Sequence, residues 1–164
     1  MPEKIKDVKP PRGLARLLFR LPIGLYTIGL GGLLGRRFLL LTHIGRKSGL
    51  ERKTVLEVVR YNKATSTFIV AAGFGPGSDW YRNIRANPQV TVQCGPQRLP
   101  MVAHFLTPEQ SGEELVDYAR RHPQAMRELS KFMGYRLDGS EADIRAFGQI
   151  LSMVAFKPGD DDRN

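Results

Sequence analysis

After about residue 36, apolar positions either alternate with polar ones or run unbroken in short stretches, and this pattern predicts strands. Arg37–His43 is a near-continuous apolar strand, and Thr54–Tyr61 alternates and is β-branched. The polar turn Asn62–Ser66 leads into another apolar strand, Thr67–Ala72, so two successive strands form a hairpin. A second hairpin, Val90–Cys94 with Leu99–Leu106, turns around Gly95-Pro96, and Ser152–Phe156 reads as a closing strand. Helices interrupt this pattern. Ser78 is an N-cap residue for a short helix over Asp79–Ala86, which Asn87-Pro88 stops. Thr107-Pro108-Glu109 opens a helix to about Arg121, another runs from Pro123 to about Met133, and Ser140–Leu151 is a third.

Five or six short strands, mostly in hairpins, with helices grouped outside them, imply an α+β fold: an antiparallel β-barrel with peripheral helices. Strand–helix–strand alternation is missing, and neither a G-x-G-x-x-G fingerprint nor a P-loop is present. The expected organisation is a mobile tail over 1–13, an apolar helical segment over 14–35, a barrel domain over 36–158 with a helical insertion at 108–151, and an acidic tail over 159–164. The segment from Leu14 to Leu34 follows Arg12, Arg16 and Arg20, which share one helical face if the chain is helical there. Its 15 uncharged residues between Arg20 and Arg36 fall short of a membrane span, and Pro22 and five glycines weaken a long helix. It reads as one or two short helices that cap the core or lie on an anionic membrane surface. With no small-residue cleavage site after it, the expected location is cytoplasmic, peripheral at the inner face of the membrane.

Charge sharpens this picture. The net charge of +9 is confined to the first third of the chain: residues 1–60 hold 13 Lys and Arg against 4 Asp and Glu, while residues 61–164 hold 12 of each. Such concentration points to a polyanionic partner. A nucleic-acid barrel would interleave aromatics with basic residues on its strands, and these strands are dominated by Leu, Val and Ile, so no nucleic acid is expected. The single cysteine, Cys94, excludes an internal disulfide framework, and the three scattered histidines give no metal-ligand spacing and no hydrolase triad.

Two elements carry candidate chemistry. The first is the turn Gly45-Arg46-Lys47-Ser48-Gly49 with Arg52 and Lys53 beyond it. Glycines let main-chain N–H groups approach an anion, the arginines can grip phosphate or carboxylate bidentately, and the lysines act as mobile charges. The second is the loop Gly73-Phe74-Gly75-Pro76-Gly77 running into Asp79-Trp80-Tyr81-Arg82-Asn83. A glycine loop entering a helix start offers free N–H donors. Trp80 either covers a planar ring or anchors the helix to the barrel, Asp79 favours the helix macrodipole, and Asn83 is either a site amide or plain helix surface.

The order Leu39-Leu40-Leu41-Thr42-His43-Ile44-Gly45-Arg46-Lys47-Ser48-Gly49, then Val70-Ala71-Ala72-Gly73, then Asp79-Trp80-Tyr81-Arg82-Asn83-Ile84-Arg85-Ala86-Asn87-Pro88 resembles the deazaflavin-dependent nitroreductase family. That family belongs to the flavin/deazaflavin oxidoreductases, whose split β-barrel is related to FMN-binding proteins. The resemblance covers the chain from Leu34 to Phe156. It implies the cofactor coenzyme F-420, a deazaflavin with a phosphodiester and an oligoglutamate tail, with FMN as the alternative. It also implies hydride transfer to a small-molecule acceptor such as a quinone, enone or nitro compound, and a homodimer. Carried onto matching positions, Arg46, Lys47, Ser48 and Arg52 contact the phosphate and tail, with Lys53 added from charge alone. The Gly73-Phe74-Gly75 backbone and Trp80, Tyr81 and Asn83 flank the ring, and Tyr81 hydrogen-bonds the acceptor. The competing expectation is a non-catalytic carrier of a flavin, lipid or acyl chain on the same barrel.

Overall fold

The computed structural model describes residues 1–7, 37–73 and 75–159. The segment expected to form the N-terminal helices and touch a membrane lies outside these residues, as does the acidic tail beyond Gly159. Among the described residues no helix is long and apolar enough to cross a membrane.

In chain order the elements are β1 (Glu3–Lys4), β2 (Phe38–Ile44), β3 (Glu51–Asn62), β4 (Thr67–Ala72), α1 (Asp79–Ala86), β5 (Gln89–Cys94), β6 (Gln97–Phe105), α2 (Pro108–Arg121), α3 (Pro123–Phe132), β7 (Tyr135–Arg136), α4 (Glu141–Ile150) and β8 (Ser152–Pro158). Six antiparallel strands close into a barrel in the order β2-β3-β4-β8-β6-β5. β8 completes it by pairing with β4 on one side and β6 on the other.

The strands read as unbroken apolar runs because both faces of several are covered. On β4 and β8, Phe68, Val70, Val154 and Phe156 fill the barrel, while Ile69, Met153 and Ala155 pack outward under the helices. Alternation of side chains along each strand produces this division. The outer layer is built by α2, α3 and α4, which supply Leu115, Tyr118, Met126 and Phe147. Thr107 opens α2 with a full capping box to Gln110, as its Thr-Pro-Glu start foretells. α2 and α4 meet at two glycines: a Cβ on Gly148 would lie 2.7 Å from the Gly112 Cα and 2.7 Å from the Ser111 carbonyl oxygen.

Three details differ from the sequence reading. β3 begins at Glu51, so Arg52 and Lys53 stand on a strand and not in the turn before it. The alternation of β3 is broken by a bulge between Val58 and Arg60, which turns Arg60 outward to meet Glu114 of α2 through two hydrogen bonds of 2.9 and 2.7 Å. Residues 1–7, part of the expected mobile tail, are tied down: β1 pairs with β7, and the Ile5 N–H donates to the Gly134 carbonyl at 2.7 Å. The left-handed backbone of Gly134 (φ 80°) turns that carbonyl toward the tail.

The glycine contact yields a prediction. Gly148→Ala should lower unfolding free energy by about 1–3 kcal/mol through overpacking against backbone that cannot yield. Urea unfolding followed by circular dichroism measures it, and an unchanged midpoint would show that the two helices can separate freely.

Candidate functional site

β2 presents Leu39, Leu41 and His43 to the barrel interior, and His43 is the last of this series, at the rim. The chain then reverses. The Gly45 N–H donates to the Leu50 carbonyl at 2.8 Å and the Gly49 N–H to the Gly45 carbonyl at 2.9 Å. The Leu50 N–H donates to Ser48 Oγ at 3.2 Å, so that hydroxyl helps to shape the turn. Gly49 is left-handed (φ 70°), and a Cβ on Gly45 would come within 2.5 Å of Ser48 Oγ. The left-handed turn therefore demands glycine at 49, while at 45 a side chain would displace only the Ser48 hydroxyl. Lys47 and Ser48 are exposed on its outer surface.

α1 sits at this rim of the barrel. Tyr81 and Ile84 join the inward apolar layer, and Asn83, on the adjoining face, is buried against the turn. The Asn83 side chain joins two elements. Its Oδ1 accepts from the Arg46 backbone N–H at 3.1 Å and from Arg46 Nη1 at 2.8 Å. Because both of those partners can only donate, the amide orientation is fixed, and Nδ2 must face His43 Nδ1 at 3.2 Å. His43 Nδ1 therefore accepts, and any proton on the neutral ring is at Nε2. Burial, with help from the nearby Arg52 charge, lowers the His43 pKa from 6.5 to about 4, against a smaller opposing effect of Asp79. One helical turn before Asn83, Asp79 Oδ1 accepts from Arg46 Nη2 at 3.1 Å.

The loop before α1 is equally specific. The Gly75 N–H donates to the Ala72 carbonyl at 2.9 Å with φ 84°, and both the Ser78 N–H and its hydroxyl donate to the Gly75 carbonyl, at 3.2 and 3.0 Å. Ser78 thus occupies the N-cap position but makes no side-chain cap to α1. Its hydroxyl is committed to the loop, which leaves the first-turn N–H groups of the helix without that partner. A Cβ built on Gly73, Gly75 or Gly77 would meet no atom within 4 Å, so the backbone here is open to approach.

The expected site residues are thus partly assembled and partly separated. Arg46 and Asn83 are in direct contact, and Arg52 stands opposite His43 in the β2–β3 ladder and so shares its face. Lys53 stands opposite Thr42, on the other face of the sheet, and one anion cannot readily engage both side chains. Trp80 is half-buried against the barrel core, edge-on to Tyr81 at 5.8 Å between ring centroids. Tyr81 is 6% exposed, and its ring packs edge-on against Phe105 at 5.3 Å between centroids. Phe74 lies outside the described residues. Sequence reasoning missed His43 altogether and gave Asp79 only a macrodipole role. The available signal was parity: a histidine on the face of Leu39 and Leu41 is turned inward and needs a polar partner. A groove of about 400 Å³ lined by Arg60, Glu114, Asp117 and Arg121 shares no residue with this site, and its charges are consumed in ion pairs.

This donor set suits a ligand with a planar ring and a multiply charged anionic arm. The cationic turn, an uncapped helix start and an open glycine backbone lie together, with a half-buried indole beside them. The family profile described as F420H(2)-dependent quinone reductase matches residues 27–132. An F420H(2)-dependent quinone reductase of Mycobacterium tuberculosis (strain ATCC 25618 / H37Rv) is 32% identical over 109 residues, 63% of this chain and 69% of that protein. Among solved structures, an F420-H2 dependent reductase (FDR-A) is 25% identical with a TM-score of 0.51, over 75% of this chain and 96% of that one. A solved domain-swapped dimer is 23% identical with a TM-score of 0.53, over 88% of this chain and 100% of that one, a likeness of fold.

The buried histidine has a consequence for stability. Between pH 6.5 and about 4 the unfolded chain binds a proton at His43 that the native protein refuses. The native state therefore loses stability as pH falls through this window, by at most about 3 kcal/mol. Above pH 6.5 His43 contributes no slope. His43→Gln, which keeps an acceptor for Asn83, should flatten this part of the curve in chemical denaturation series at pH 4 to 7. Parallel curves for the two proteins would show that His43 is not held neutral.

Proposed function

The chain belongs to the F420H(2)-dependent quinone reductase family, and we propose that it passes a hydride from reduced coenzyme F-420 to a quinone-type acceptor at the rim formed by the Gly45–Leu50 turn and α1. It is an oxidoreductase with coenzyme F-420 as its cofactor. The observation that carries the proposed site is the fixing of Arg46 against the buried Asn83 amide, beside an uncapped helix start and an open glycine loop.

When bound, the reduced deazaflavin supplies the hydride, and the quinone becomes a hydroquinone by taking that hydride and one proton. The protein's share is binding, orientation and exclusion of water. Arg46, Lys47 and Arg52 hold the anionic arm, and Ser48 shapes the turn that presents them. The main chain at Gly73 and Gly75 would leave room for the ring, and Trp80 would flank it. Tyr81 acts by packing between Trp80 and Phe105, which fixes the indole. His43 is neutral and its Nδ1 faces Asn83, so it orients that amide.

The test is a titration with oxidised coenzyme F-420 and with FMN, followed by quenching of the single tryptophan, Trp80. The deazaflavin should bind more tightly, with an affinity that falls as salt rises. Arg46→Ala or Arg52→Ala should weaken it by about 1.5–3 kcal/mol, and Lys53→Ala by less. Unchanged affinity in both arginine variants would remove the turn from the site. Oxidation of the reduced cofactor should be faster with a naphthoquinone than with an enone or a nitroaromatic, and a reversed order would replace the acceptor.

A further inference from the structure

We infer that Asp79 is an internal competitor: its carboxylate pairs with Arg46 and must be displaced by an anion that takes that guanidinium. This rests on the reading of the turn and α1 as the anion site, and it adds a residue that opposes binding. Arg46 has two partners on α1, and they are unequal. Asn83 is neutral and 4% exposed, so its hydrogen bonds to the Arg46 backbone and guanidinium are shielded from water. Asp79 is charged, and its side chain is 85% exposed against 20% for Arg46.

The buried contacts keep Arg46 in place, and the exposed one can be exchanged at small cost because water and salt weaken it. Asp79 and Asn83 are one helical turn apart, so the guanidinium already lies along α1, with its Asp79-facing nitrogen toward the helix start. An anion bound there meets a negative charge where it needs a positive one. A monoanion gains one contact and costs another. A ligand with a phosphodiester and further carboxylates keeps a surplus through Lys47 and Arg52. Asp79 therefore lowers the affinity of any anion that takes Arg46, and only a ligand with further contacts keeps a useful net gain.

The experiment is a double-mutant cycle on Asp79→Asn and Arg46→Ala in the full chain. Dissociation constants are measured by calorimetry for coenzyme F-420 and for inorganic phosphate, with thermal melting as the control on folding. Asp79→Asn should tighten both ligands by roughly two- to fivefold at low salt. The gain should shrink as salt rises. In the Arg46→Ala background the same substitution should give no gain. Unchanged or weaker binding in Asp79→Asn overturns the inference. An equal gain with and without Arg46 also overturns it, since the carboxylate would then act only through its long-range field. Should Asp79→Asn fail to fold, Asp79→Ser, which keeps a residue suited to a helix start, replaces it in the cycle. Binding of phosphate without coenzyme F-420 would refute the cofactor's placement, and the competition would be judged on phosphate. Binding of neither would refute both.

Discussion

One buried amide ties this site together. Asn83 enters from α1, accepts two hydrogen bonds from Arg46 and donates one to His43. A turn of this kind would otherwise sample many conformations, since its glycines give the backbone freedom. Here the turn is registered against both the barrel strand and the helix by a group whose polar atoms are each matched. A carboxylate at position 83 could not donate to His43, and an apolar residue would strand the Arg46 N–H. An amide satisfies the donor-only Arg46 groups through its oxygen and the His43 acceptor through its nitrogen. The cost of burying polar groups is met by this pairing, and preorganised charge is the result.

The barrel itself was largely legible in the chain. The runs at residues 37–43, 67–72 and 152–156 each became a strand, because β-branched and leucine-rich stretches bounded by turn residues have little alternative. Helices α2, α3 and α4 were equally clear from Thr107, Pro108, Pro123 and Ser140, residues whose effects are local. What could not be read was the pairing of distant groups. Arg60 meets Glu114, and Arg46 meets Asn83 and Asp79, only because a bulge and a helix start bring them together. The strand run of β3 hid the bulge, since one extra residue leaves composition and propensity unchanged. Ser78 shows the converse: it has the right identity for a cap, but its hydroxyl is taken by the Gly75 carbonyl.

The same limit applies to the site. Clustered charge marked the turn as a place for an anion, and the strand register then sorted the charges. Arg52 shares a face with His43, and Lys53 does not. Charge counting along a sequence cannot make that distinction, because neighbours in a strand point in opposite directions. Tyr81, expected from the resemblance to hydrogen-bond the acceptor, shares the helix face of Ile84, so its ring packs against the barrel core.

The position of β8 governs when this molecule can exist. The seam between β4 and β6 is filled only by residues 152–158, after the entire helical layer has been made. During synthesis β2, β3 and β4 can pair as hairpins, but the cylinder stays open and its apolar lining stays wet until the last strand emerges. The emergence of β8, and not that of the cationic turn, is therefore the moment at which the barrel can acquire its interior. A polypeptide stalled in α4 would carry the full set of ligand-facing residues with no enclosed core behind them.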